Sequence, residues 1–182
     1  MKTNTFITKQ LRASLATLGV AAWATCSSLA ADADFSRQGK IEAYGTGLYL
    51  SGDHFSGYGG GLGVGYHFTD YISLNGELTG GRLESGPIDG ALYVGTMNME
   101  YNLLKKRFTP FLTVGVGALG YDVKQGFIRG AGVNALVSGG AGLRWDVTDR
   151  FFIKAEYRAL GVFDQSNAEL VHSATVGLGF TF

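Results

Sequence analysis

The sequence has one cysteine, Cys26, and so forms no internal disulfide. Proline is scarce, at two residues. Outside the N-terminus there is no apolar run of about 18 residues, which excludes a membrane-spanning helix from the body of the chain. An excess of charge is missing as well, because 15 basic and 15 acidic residues cancel. Without a basic excess there is no electrostatic case for a nucleic-acid partner. Glycine, by contrast, is abundant, at 29 of 182 residues. Unperiodic glycine at that level often marks disorder, but 46% apolar and 13% aromatic residues argue for a packed chain. The length suits one domain preceded by a removable segment.

The N-terminus reads as an export signal. Lys2, Lys9 and Arg12 precede the apolar stretch Ala13 to Ala24, and Ser28-Leu29-Ala30 places small residues where a signal peptidase cuts. The expected leader is therefore 1–30, or 1–33 if the cut follows Ala33, and Cys26 is discarded with it. Residues 31–39 form a short periplasmic segment and 40–182 the folded domain. Cleavage after Ala30 leaves 12 basic against 15 acidic residues, a net charge of −3. An N-terminal core helix is the bland alternative.

From Ile41 onward the apolar period is two, the period of strands. Leu62, Val64, Tyr66 and Phe68 alternate with Gly61, Gly63, Gly65 and His67. The same alternation recurs at 72–79, 93–102, 112–117, 137–145, 151–158 and 175–182, and Ile41 to Leu50 completes eight segments. Thr69-Asp70, Leu104 to Arg107 and Thr148 to Arg150 read as tight turns. Ser51 to Gly57, Gly81 to Gly90, Asp122 to Gly130 and Gly161 to Glu169 read as longer loops. Tight turns at one end and longer loops at the other point to an all-β fold, an eight-stranded antiparallel up-and-down transmembrane β-barrel. Its apolar parity faces lipid, and closure satisfies the backbone of the last strand. An even strand number puts both termini at the tight-turn end.

The inward parity carries Glu77, Glu100, Arg144, Lys154, Glu156 and Arg158. A barrel of this size is just wide enough to be filled by side chains, and isolated charges there are costly. The expectation is a lumenal ionic network in which Glu77 and Glu100 meet Arg144, Lys154 or Arg158 and block conduction. Inward glycines leave room for these long side chains. Aromatics near the segment ends, among them Tyr66, Trp145 and Phe180 at one end and Tyr49, Tyr58 and Tyr121 at the other, read as interface belts. Two alternatives remain open: a water-filled lumen with solvated charges, and a soluble lipocalin-like barrel with the apolar face inward.

Taken together, the leader, Phe111 to Gly117 (FLTVGVG), Gly140 to Trp145 (GAGLRW), Thr148-Asp149-Arg150 with Lys154 to Arg158 (KAEYR), and the terminal Gly179 to Phe182 (GFTF) resemble the small outer-membrane β-barrel, porin-like family. That family includes the OmpA transmembrane domain, OmpX, and the opacity and Ail-type surface proteins. The resemblance covers about 40–182. It implies a Gram-negative outer membrane and a structural or surface-interaction role among outer-membrane lipids and lipopolysaccharide; a monomer without catalysis is expected. It also implies that Phe180 and Phe182 belong to a C-terminal assembly signal read by the barrel-assembly machinery, with periplasmic chaperones as partners in transit. Ending at the barrel, the chain is expected to lack the peptidoglycan-binding domain of full OmpA proteins.

Other sites weigh less. Gly115 to Gly120 matches G-x-G-x-x-G, but the motif needs a following helix, and a loop is expected there instead. Lipid A-modifying enzymes share this size and strand number, and they are the enzymatic alternative; a narrow pore is another. His172 and Ser173 are adjacent on a strand and so point to opposite faces. His54, His67 and His172 are too scattered for a metal site, and no cofactor is expected. Arg82, Lys124 and Arg129 are candidate lipopolysaccharide contacts, since Arg and Lys pair well with phosphate; ordinary solvated loops explain them equally.

Overall fold

Eight strands form because the alternation persists: β1 (Ile41–Ser51), β2 (Ser56–His67), β3 (Ile72–Ser85), β4 (Ile88–Asn102), β5 (Phe108–Gln125), β6 (Ile128–Asp146), β7 (Phe151–Phe163) and β8 (Ala168–Thr181). In the computed structural model, the described residues are 35–52, 56–85, 88–125, 128–163 and 168–182. The expected leader and Cys26 lie outside them. Each strand pairs antiparallel with the next, and β1 pairs with β8, so the sheet closes on itself. In the closing register Glu42 lies opposite Thr181 and Ser51 opposite His172.

The pleat sorts side chains into two environments. Along β7, Phe152, Lys154, Glu156, Arg158, Leu160 and Val162 are buried, while Ala155, Tyr157 and Phe163 are exposed. Leu62, Leu78 and Val116 are 75%, 74% and 61% exposed on the outer wall. A soluble barrel with its apolar face inward would show the reverse. The outward apolar wall is what lipid demands, and closure leaves no unpaired edge within it.

At the end that carries Phe35 and Phe182 the turns are tight. Thr69 and Thr148 build the same device: each hydroxyl accepts from the two amides that follow its turn, Tyr71 and Ile72 in one case, Arg150 and Phe151 in the other. This hydroxyl turn chemistry is why Thr-Asp recurs there.

The opposite end differs from expectation. Residues 81–85 and 88–90 belong to β3 and β4, and 122–125 and 128–130 to β5 and β6, so the expected long loops are mostly strand. β5 and β6 run 18 and 19 residues, nearly twice the ~9–11 that cross a bilayer. Above the hydrocarbon both faces of a hairpin meet water. The lipid-facing alternation that revealed the strands therefore stops there, while the backbone pairing continues. β5 and β6 are the two longest strands of the barrel.

Candidate functional site: the lumen

Inside the barrel the side chains form tiers. Nearest the end that carries Phe35 and Phe182, Arg144 donates to Glu42 at 2.5 Å and to Asp146 at 3.1 Å, and its guanidinium lies 3.9 Å over the Phe152 ring. His67 meets the same Glu42 carboxylate at 3.0 Å. In the next tier Lys154 donates to Glu100 and sits 4.6 Å from the Tyr44 ring centre and 5.5 Å from that of Phe111. Above it Arg158 reaches Glu77 at 3.1 Å and Glu156 at 3.4 Å. All of these charged groups are buried.

Glycine makes room for the lumenal rings. Tyr44 is in register with Gly63, where a Cβ would fall 2.3 Å from the ring. Phe111 is in register with Gly142 and leaves the same small clearance.

Beyond the charges the lumen turns apolar. Leu48, Leu50, Leu92, Val94, Leu119, Leu136, Leu160, Val162 and Val171 form one buried cluster, with Tyr121 packed against it. This corrects two expectations. The inward parity is not polar throughout, and Tyr121 packs on the lumenal core rather than in an outer belt. Between the ionic and apolar tiers lies a cavity of about 10 Å³, lined by Glu77, Arg158, Thr79, Thr96 and Ser173 with the leucines and valine above them. That is room for about one water.

Of the six charges read from the sequence, Lys154 joins Glu100, and Arg158 joins Glu77 and Glu156. Arg144 meets neither Glu77 nor Glu100; its partners Glu42 and Asp146 escaped the reading, as did Arg37. Glu42 lies in the most ambiguous strand and Asp146 at a strand end. Arg37 lies outside any strand, where periodicity carries no signal.

Arg37 enters from the segment before β1. It is fully buried, and its Nε donates to Asp146 at 2.9 Å. Asp70, in the β2–β3 turn, accepts from Ser36 Oγ at 2.7 Å and from the Arg37 and Gln38 amides at 2.8 and 3.1 Å, and pairs with Lys105 at 2.9 Å. Gly39 takes φ of 77°, as the third position of a type II turn demands, and the Lys40 amide donates to the Arg37 carbonyl. Phe35 is surrounded by Arg37, Lys40 and Arg107, each about 5 Å from its ring centre. Phe35–Lys40 thus ties three turns together across the barrel end.

The other candidates are dispersed. Arg82 is exposed, in register with Tyr58 and Ala91. Lys124 and Arg129 are register partners in the β5–β6 hairpin, and their side chains lie outside the described residues. Phe180 and Phe182 are exposed on the outer wall, and Phe180 packs edge-on against Phe151. Residues 115–120 lie within β5, with no helix after them. Ser173 is buried in the lumen, whereas His172 is outside, where its Nδ1 meets the Tyr157 hydroxyl at 2.7 Å. Among the described residues no three His, Cys, Asp or Glu side chains are gathered to hold a metal.

Comparison with known proteins agrees with this architecture. Residues 13–182 match the model of the outer membrane protein beta-barrel domain. A comparison with curated sequences gives no match. Among solved structures, the N-terminal β-barrel domain of Pseudomonas aeruginosa OprF is similar at TM-score 0.60 and 23% identity, over 80% of this chain and 98% of that one. Neisserial surface protein A gives 0.61 and 17%, over 78% and 94%. Ail, the attachment invasion locus protein of Yersinia pestis, gives 0.55 and 18%, over 80% and 99%.

Proposed function

Because the chain belongs to the outer membrane protein β-barrel family and resides in the bacterial outer membrane, we propose that it works there as a closed, non-catalytic barrel. It anchors and stabilises the membrane and carries the β3–β6 hairpins beyond its surface. One observation supports the closed lumen above all: paired charges and an apolar cluster lie in series, with a cavity of only about 10 Å³ between them. Side chains packed in this way leave no room beside them for a hydrated ion. Planar-bilayer recording of the refolded chain should show no steady single-channel steps. Regular steps from the unaltered protein would sink this reading and support a narrow pore.

The remaining assignments follow from the same placement. Residues 1–30 or 1–33 direct export, 31–39 lie in the periplasm and 40–182 span the membrane, with the termini on the periplasmic side. Phe180 and Phe182 serve as the assembly signal for the barrel-assembly machinery, after chaperones deliver the chain. Arg82, Lys124 and Arg129 contact lipopolysaccharide phosphates at the opposite end. Ail has been solved with the heparin analogue sucrose octasulfate, a polyanion of comparable charge chemistry, and this supports anion contacts at the surface of such barrels. The barrel acts as a monomer, without cofactor.

A further inference from the structure

A cleft of about 610 Å³ opens on the outer wall at the end that carries Phe35 and Phe182, lined by Lys40, Asp149, Arg150, Phe180, Thr181 and Phe182. Its apolar wall is made by Phe180 and Phe182, which are 55% and 77% exposed. Its lip is basic. The other basic side chains around this rim have partners: Arg37 with Asp146, Lys105 with Asp70, and Arg107 with Asp149. Lys40 and Arg150 differ. Among the described residues neither has a carboxylate within ion-pairing reach, and the Lys40 ammonium lies over the Phe35 ring, which leaves its hydrogens free to donate.

The backbone around the cleft is pinned. The Thr181 amide donates to the Arg150 carbonyl at 2.7 Å, and Phe182 and Ile41 exchange two hydrogen bonds at 2.8 and 3.2 Å. Among the described residues Asp149 is the one acidic side chain at the lip, and the Arg107 guanidinium at 2.5 Å offsets its charge; the Phe182 main-chain carboxylate accepts from the Ile41 amide. The lip therefore stays net positive toward an incoming anion, with Lys40 and Arg150 against one main-chain carboxylate.

We propose that this cleft binds an anionic glycerophospholipid of the periplasmic leaflet. Its phosphate lies between Lys40 and Arg150, and its upper acyl chain lies along Phe180 and Phe182. Charge complementarity at the lip and lipid-facing rings below it point to this occupant, because a soluble anion has no use for the aromatic wall and a neutral lipid none for two unpaired cations. The site rests on the membrane placement of the barrel and not on the lumen being closed, so a conducting barrel would leave it standing.

The test is native mass spectrometry of the refolded chain, titrated in detergent with phosphatidylglycerol, phosphatidylcholine or inorganic phosphate. The unaltered protein should retain one phosphatidylglycerol in preference to phosphatidylcholine. Lys40→Gln with Arg150→Gln should weaken retention about tenfold or more, as expected for two basic groups beside one anionic headgroup, while heat-modifiable gel migration stays that of the folded barrel. The charge-keeping pair Lys40→Arg with Arg150→Lys should restore retention. If the double glutamine variant does not fold, Arg150→Gln alone carries the test, since that side chain makes no ion pair among the described residues. Equal retention of the two lipids, retention unchanged in the glutamine variants, or displacement of the lipid by millimolar inorganic phosphate would overturn the proposal.

Discussion

Lys154 shows what a single residue does in this lumen. It is buried, paired with Glu100 and flanked by two aromatic rings. Removing one partner of such a pair strands the other charge away from water and costs about 3–5 kcal/mol, whereas replacing both with apolar groups of similar volume is often neutral or stabilising. Lys154→Met should therefore lower the urea midpoint of the folded barrel markedly, and adding Glu100→Leu should recover most of the loss. A double variant as weak as the single one would mean that Glu100 is not the group Lys154 stabilises. Gly63 makes the complementary case. A methyl there would meet the Tyr44 ring at 2.3 Å, so Gly63→Ala should destabilise by about 1–3 kcal/mol through overpacking, read from the same unfolding curve.

Among the elements, the Phe35–Lys40 segment draws its order from Asp70. Desolvation alone would raise the Asp70 carboxyl, but hydrogen bonds from Lys105, Ser36 and the Arg37 and Gln38 amides outweigh it and hold the group well below the usual carboxylate range. A carboxyl depressed on folding contributes stability that is complete above its unfolded pKa of ~3.9 and is lost as pH falls through the depressed value. The segment should therefore stay docked at neutral and mildly acidic pH and loosen only in strong acid. Asp70→Asn should loosen it at pH 7. Exchange protection at the Arg37 and Gln38 amides would drop, while the amides of β1 and β8 stay protected. Full protection at Arg37 in the variant would show that Asp146, and not Asp70, fixes the segment. The sequence could not announce this element. Strand periodicity exposes only residues that sit in strands, so Glu77, Glu100 and Lys154 were legible as inward groups from their neighbours, and Arg37 was not. Alternation failed likewise at 81–90 and 122–130, where strand pairing continues through 81–85, 88–90, 122–125 and 128–130 without a period-two apolar pattern in the sequence.

At the scale of the whole molecule the lumen holds two tiers in series, each a seal in the closed barrel proposed above. The lower is ionic, from Arg144 up to Arg158; the upper is the cluster of leucines and valines. The alternation at 72–79 and 93–102 revealed the lower seal, because charge against an apolar outer wall is a sharp contrast. The upper seal was hidden: where Leu48 and Leu50 face inward beside an outward Tyr49, both parities are apolar and the period carries no direction. Its nine side chains, each worth about 1.5–3 kcal/mol on burial, give the loop end of the barrel a soluble-protein core. On that proposal two barriers in series behave differently from one, since weakening either leaves the other in place. Glu77→Ala with Arg158→Ala should leave the barrel non-conducting, and so should Leu50→Ala, Leu92→Ala and Leu160→Ala together. Even the five substitutions combined should give no steady single-channel steps in planar bilayers, because Lys154 with Glu100 and Arg144 with Glu42 still fill the lumen below, with heat-modifiable migration confirming that each variant is folded. Steps from the two-residue variant would mean that the apolar tier already admits water and ions, and that the ionic tier is the sole seal.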